Sequence, residues 1–92
     1  MKKDLENAKK TLTGALELPL DIALDLPKII ITGNLRVDIT NHKGIIEYRE
    51  DIIRINSNIG IIKVQGEAME IKNILIEEIS INGNIESVEI IS

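Results

Sequence analysis

Reactive side chains are scarce in this chain, and the obvious place to look is His42, its one histidine. An imidazole can act as a general base, a partner to a nucleophile or a metal ligand near neutral pH. Each role needs company. A catalytic histidine needs a nucleophile or carboxylate within hydrogen-bond reach, and a metal needs several convergent ligands. With no cysteine and no second histidine, the cheapest constellation is His42 with Asp38 or Glu47. That would make the loop a small ligand- or metal-binding site. Asp21 and Asp25 are the next pair. Four residues apart, they would share a helix face, which suits a metal or an acid/base pair, although like charges there are mildly unfavourable on a bare helix. The plainer account is the solvated rim of a docked segment whose anchors are Leu18, Leu20, Leu24 and Leu26. Glu67, Glu70, Glu77, Glu78, Glu86 and Glu89 make the second half acidic. Alternation puts most of them on an outer sheet face, where they would attract a basic partner.

Composition narrows the choice. At 92 residues the chain is one domain at most, too small for a cofactor domain beside a substrate domain. No cysteine means no disulfide and no thiolate metal site. A net charge of -4 with aromatics at 1% is a poor match for nucleic acid, which asks for a basic face and stacking rings. No apolar run approaches the roughly 20 residues of a membrane span, and the start, Met1-Lys2-Lys3, lacks the apolar region of a signal peptide. A cytosolic address is expected. Lys2, Lys3, Lys9 and Lys10 would each add roughly 1 kcal/mol at an anionic membrane, which with so thin an apolar stripe gives transient contact at best. No cofactor and no enzymatic activity are expected.

The elements that must position these groups fall into two parts. Residues 1–27 form the first. Leu5, Ala8, Leu12, Ala15 and Leu16 recur at spacings of three and four, which predicts a short amphipathic helix, weakened at its end by Gly14. A connector bracketed by Pro19 and Pro27 follows. Residues 28–92 form the second part and change to a period of two. Hydrophobic residues make up 43% of the chain, and with Tyr48 the one aromatic the core must be aliphatic, mainly isoleucine, which fits a pleated surface. Leu35, Val37 and Ile39 share one phase, as do Ile46 and Tyr48, Ile53 and Ile55, Ile62 and Val64, Met69 and Ile71, and Ile79, Ile81 and Ile85. The phase then slips by one to Val88 and Ile90, which predicts a bulge near Glu86-Ser87. Ser57-Asn58-Ile59-Gly60 reads as a turn. The fold class is all-β with a short N-terminal helix.

A weak repeat qualifies that picture. Ile31-Thr32-Gly33, Val64-Gln65-Gly66 and Ile81-Asn82-Gly83 share one pattern, spaced by 33 and then 17 residues. Such spacing in an isoleucine-rich chain fits a stacked-strand β-roll or short β-solenoid; an antiparallel sandwich or meander with glycine turns is the alternative. Asn41-His42-Lys43-Gly44 reads as a hairpin tip, with Gly44 supplying a positive φ and Asn41 bonding its own downstream backbone. His42 and Lys43 would then be exposed. The closing stretch, Asn84-Ile85-Glu86-Ser87-Val88-Glu89-Ile90-Ile91-Ser92, is β-prone and could pair with another chain, guarded in part by Glu86 and Glu89.

Taken in order, these segments resemble a known family. Leu18-Pro19-Leu20-Asp21 with Leu24-Asp25-Leu26-Pro27, then Asn41-His42-Lys43-Gly44, then Gly60 to Gly66 and Ile81 to Ile85 are similar to the YabP/YqfC family of sporulation proteins, with the closer likeness to its YqfC branch. Each motif alone is weak, but together they span nearly the whole chain after Leu16. The resemblance implies a protein of the mother cell during endospore formation, peripheral at the membrane around the forespore, and a partnership with a membrane protein of the YqfD type. It implies no catalytic, cofactor or metal residues. The residues expected to touch partners are Leu18, Pro19, Asp21, Leu24, Asp25, Pro27, Asn41, His42, Lys43 and Gly44. A homo-oligomer is expected as well.

Overall fold

The structure, a computed structural model, describes residues 24–92. The helix expected over residues 2–16, and Leu18, Pro19 and Asp21 of the connector, lie outside them. Six strands follow one another: β1 (Lys28–Thr32), β2 (Arg36–Thr40), β3 (Ile45–Tyr48), β4 (Ile52–Ser57), β5 (Gly60–Ile74) and β6 (Glu78–Ile91). They form one sheet in the order β1-β2-β6-β5-β4-β3, and every neighbouring pair is antiparallel. The class is all-β, with no helix among the described residues. The stacked-strand roll or solenoid is corrected by the pairing, because successive solenoid rungs stack in parallel. The antiparallel alternative holds: β3 to β6 are a meander of consecutive hairpins, and β1–β2 is a fourth hairpin added beside β6.

The β5–β6 hairpin is the spine. β4 runs only along the first part of β5, from Ser57 opposite Gly60 to Ile52 opposite Gln65. β2 runs only along the first part of β6, from Thr40 opposite Glu78 to Arg36 opposite Asn82. Each end of the long ribbon therefore carries two extra strands, on opposite sides. Between them the ribbon bends. Its register shifts between Gln65 and Gly66 and again between Glu67 and Glu70, and Ala68 takes a φ of 51°. A strand can change sheet direction through bulges of this kind. The repeat glycines explain the bend: a Cβ on Gly66 would collide with the Asn84 carbonyl, and one on Gly83 would lie 2.7 Å from the Met69 Cα. Only glycine lets the two backbones come this close. Gly66 and Gly83 are thus the two sides of one corner, and their likeness to Gly33 in sequence marks no solenoid rung.

Bending turns the apolar faces of both halves onto one core. Val37, Ile39, Met69, Ile71, Ile79, Ile81 and Ile85 meet Ile53, Ile55, Ile62 and Val64, all buried. Each fully buried aliphatic contributes about 1.5–3 kcal/mol. Tyr48 stitches the halves together, its hydroxyl accepting the Ile71 N–H at 3.0 Å. The slip expected near Glu86-Ser87 is present, Ser87 lying opposite Gln65 while Ile85 lies opposite Gly66. The β4–β5 turn is closed by the Ser57 hydroxyl donating to the Gly60 carbonyl at 2.6 Å. Two phases differ from expectation. Leu35 sits exposed in the β1–β2 turn, and Ile46 falls at the β3 bulge between Ile45 and Glu47, which turns it outward.

Candidate functional site

The residues 41–44 are not a hairpin tip. β2 pairs with β1 and β6, whereas β3 pairs with β4, so this loop is the crossover from one half of the sheet to the other. A crossover must be pinned at both ends, and backbone bonds do so. The His42 N–H donates to the Glu77 carbonyl at 3.4 Å, the Lys43 N–H to the Asn56 carbonyl at 2.8 Å, and the Asn56 N–H to the Gly44 carbonyl at 2.8 Å. Asn41 has a φ of 59° and Gly44 of 124°, both in the region that suits asparagine and glycine.

His42 is buried at 8% exposure, which corrects the expectation of an exposed tip residue. Its Nδ1 accepts the Gly44 N–H at 3.0 Å, and its Nε2 lies 3.4 Å from the Leu75 carbonyl. Together these select the neutral tautomer with hydrogen on Nε2, donating to Leu75. The ring's one lone pair is already engaged by backbone, leaving none for a metal or a substrate proton. The acids proposed for it are engaged elsewhere. Asp38 accepts from the Ser80 hydroxyl at 2.6 Å and from the Arg36 Nε at 2.9 Å. Those contacts, the Ser80 hydrogen bond foremost, hold its carboxyl below the usual carboxylate range. Glu47 pairs with the Arg54 Nε at 3.1 Å. Among the described residues no three of His, Cys, Asp or Glu converge as a metal group.

The described end of the connector, Leu24 to Pro27, comes to the loop. Asn41 Nδ2 donates to Asp25 at 2.8 Å and to the Leu26 carbonyl at 3.1 Å, and Lys43 Nζ pairs with Asp25 at 3.3 Å. Asn41 thus bonds upstream chain, not its own downstream backbone. The Asn41 and Lys43 contacts lower the Asp25 pKa, and Asp25 itself has a φ of 55°. Of the residues expected to touch partners, Asp25, Asn41 and Lys43 therefore bond one another, while Leu24 is exposed beside them and His42 and Gly44 serve the loop from within.

Sequence reasoning missed a third component, the β5–β6 turn. The Leu75 N–H donates to the Glu78 carbonyl at 2.7 Å, closing a tight turn. Ile74, Leu75 and Ile76 all face solvent there, Ile76 at 94% exposure. His42 braces this tip from beneath through Leu75 and Glu77. The signal was present as the run Ile74-Leu75-Ile76 before Glu77-Glu78, but a run of three aliphatics in an isoleucine-rich chain reads as more core. Three consecutive exposed aliphatics on a hairpin tip, with two carboxylates beside them, can do no bond chemistry. They can cover an apolar surface with a basic rim.

The model of the YabP family matches residues 25–91, a span that opens at Asp25 and holds the loop, the tip and every strand. The chain belongs to the YabP family. Within reach of that family it is 40% identical over 80 residues to an uncharacterized protein, YqfC, of Bacillus subtilis (strain 168), covering 87% of this chain and 86% of that one. No solved structure matches the chain. For this YabP-family chain, then, the family region is the whole sheet together with the short segment, Asp25 to Pro27, that docks on its crossover loop.

Proposed function

We propose that the chain is a non-enzymatic assembly module of endospore formation. It acts in the mother-cell cytoplasm and reaches the membrane around the forespore by binding a membrane protein of the YqfD type. One observation carries the binding surface: Ile74, Leu75 and Ile76 stand exposed together on a tip that the crossover loop holds in place. Covering one such side chain is worth about 1.5–3 kcal/mol, and three adjacent ones can anchor a partner. Leu24 and the Asp25–Lys43 pair flank the same loop, while Glu77 and Glu78 favour a partner segment that is apolar with a basic edge. Membership of the YabP family and the likeness to YqfC support the setting. Self-association of the chain belongs to the same reading.

The test is co-purification. The chain is co-expressed with the YqfD-type membrane protein, membranes are solubilised in detergent, and the membrane protein is captured. Wild type should be retained and Ile76→Glu lost, with the variant's thermal unfolding unchanged because Ile76 touches almost nothing. Absence of wild-type chain from the captured fraction, together with normal spore counts in cells lacking the chain, would remove the proposal.

A further inference from the structure

The bent ribbon leaves the sheet with several open edges, and they are not equally protected. Among the described residues β1 and β3 end the strand order, and β5 and β6 each have one side uncovered where β4 and β2 stop. An open edge offers unpaired N–H and C=O groups to any other strand unless charge, a bulge or a cap blocks it. β3 has a bulge, carries Glu47, and is followed by Arg49, which pairs with Glu47 and Asp51. The open part of β5 is capped at Ile71 by the Tyr48 hydroxyl and carries the Glu70–Lys72 pair. The open part of β6 holds Glu86 and Glu89. Among the described residues β1 has neither bulge nor cap, and its one charge, Lys28, sits at its first position. Its five residues, Lys28-Ile29-Ile30-Ile31-Thr32, pair with β2 in unbroken register and contain no charge after Lys28. Ile30 is 48% and Ile31 53% exposed.

We propose that β1 is a self-association edge, at which two copies of this chain pair their β1 strands antiparallel about a two-fold axis through Ile30. The proposal rests on the self-association part of the reading above and assigns it a surface. The strand is complementary to itself. With Ile30 opposite its own copy, Ile29 faces Ile31 and Lys28 faces Thr32, so aliphatics meet aliphatics and no like charges are opposed. The faces agree as well. Ile29 and Ile31 lie opposite Ile39 and Val37 of β2, which are core residues, so in the pair they fall on the core-facing side of both copies and cover the exposed part of Ile31. Ile30 lies opposite Asp38 on the outer side and meets only Ile30 of the other copy. Alternate β1 residues turn their N–H and C=O groups away from β2, and an antiparallel partner satisfies them. A two-fold pair of this type closes on itself; it makes a dimer and leaves no further β1 free. Five residues a side bury less than the roughly 1,200 Å² of a typical stable complex, so the dimer is concentration-dependent.

The experiment uses the purified full chain without any membrane partner, followed by sedimentation velocity from low to high micromolar concentration. Wild type should shift from monomer to dimer across that range. Ile30→Lys and Ile30→Glu each place like charges opposite one another and should raise the dimer dissociation constant at least about tenfold, while an equimolar mixture of the two should regain a mixed dimer. Because the chain has no cysteine, Ile30→Cys gives a second readout: under mild oxidation it should form a disulfide-linked dimer, and Thr32→Cys should not. A wild type that stays monomeric at the highest concentration overturns both this proposal and the self-association part of the reading. A wild type that dimerises equally with Ile30→Lys or Ile30→Glu in place overturns the β1 assignment alone. If the charged variants lost their fold by circular dichroism, the disulfide pattern alone decides: cross-linking through Ile30→Cys supports β1, and none overturns it.

Discussion

At the residue scale the main result is that His42 holds architecture. Its two ring nitrogens are matched to two backbone groups, the Gly44 N–H and the Leu75 carbonyl. His42→Ala leaves both without a partner in a buried place, at a cost of roughly 2–4 kcal/mol, which calorimetry should show as a melting temperature lower by on the order of 10 °C or more. Asparagine places an oxygen near the Nδ1 position and glutamine an NH₂ near the Nε2 position, so His42→Asn and His42→Gln should each recover part of the loss. If alanine were as stable as wild type, the bracing role would be wrong. Asp38 makes a second residue-level prediction. Its carboxyl titrates below the usual range because Ser80 and Arg36 hold the charged form. The stabilisation is complete above the ordinary carboxylate pKa of about 4 and is lost as pH falls through the lower folded value. Ser80→Ala should therefore cost about 1–2 kcal/mol at pH 7, and the gap in melting temperature to wild type should close in acid. A gap that is constant or widens down to the acid limit would contradict the assignment.

At the element scale the strands were readable and their assembly was not. The alternation that put Ile53 with Ile55, Ile62 with Val64 and Ile79 with Ile81 on one face is the alternation found in the core, and the slip at Glu86 was visible because side-chain period in a strand is two. The loop at 41–44 differs from the expected hairpin tip for a physical reason. Asparagine and glycine flanking two polar residues specify backbone geometry, which a hairpin and a crossover can share. Only the pairing of Ile39 with Ile79 and of Val37 with Ile81, contacts distant in sequence, tells them apart. The tip at Ile74-Leu75-Ile76 was hidden by composition, since exposed and buried aliphatics look alike in a chain with so many of both. The repeat glycines signalled a real constraint but the wrong architecture. That constraint is testable: Gly83→Ala drives a Cβ onto the Met69 backbone at a φ of 155°, so the corner must open. Chemical denaturation should show a loss of several kcal/mol, on the scale of overpacked or strained sites. Gly33→Ala, with nothing within 4 Å, should cost only the smaller penalty of its positive φ.

At the scale of the whole molecule, two surfaces carry the proposed contacts. One end gathers the segment Leu24 to Pro27, the crossover loop and the aliphatic tip, the surface proposed for a membrane partner. The β1 edge is the surface proposed for a second copy. Lys28 follows directly on the Asp25-Leu26-Pro27 segment, so the β1 edge begins where the docked connector ends, and a dimer would present two tips to two partners. Under the two proposals together, paired weak sites on one assembly would bind a membrane-held partner far more tightly than either alone. The tip is the surface on which the proposed binding depends. Its most direct test is a binding titration of the chain, wild type against Ile76→Glu, onto the YqfD-type membrane protein held in lipid nanodiscs, with empty nanodiscs as control. Saturable wild-type binding that needs the membrane protein and weakens at least about tenfold in the variant is the predicted result. Equal binding by both chains, or equal binding to empty nanodiscs, would contradict it.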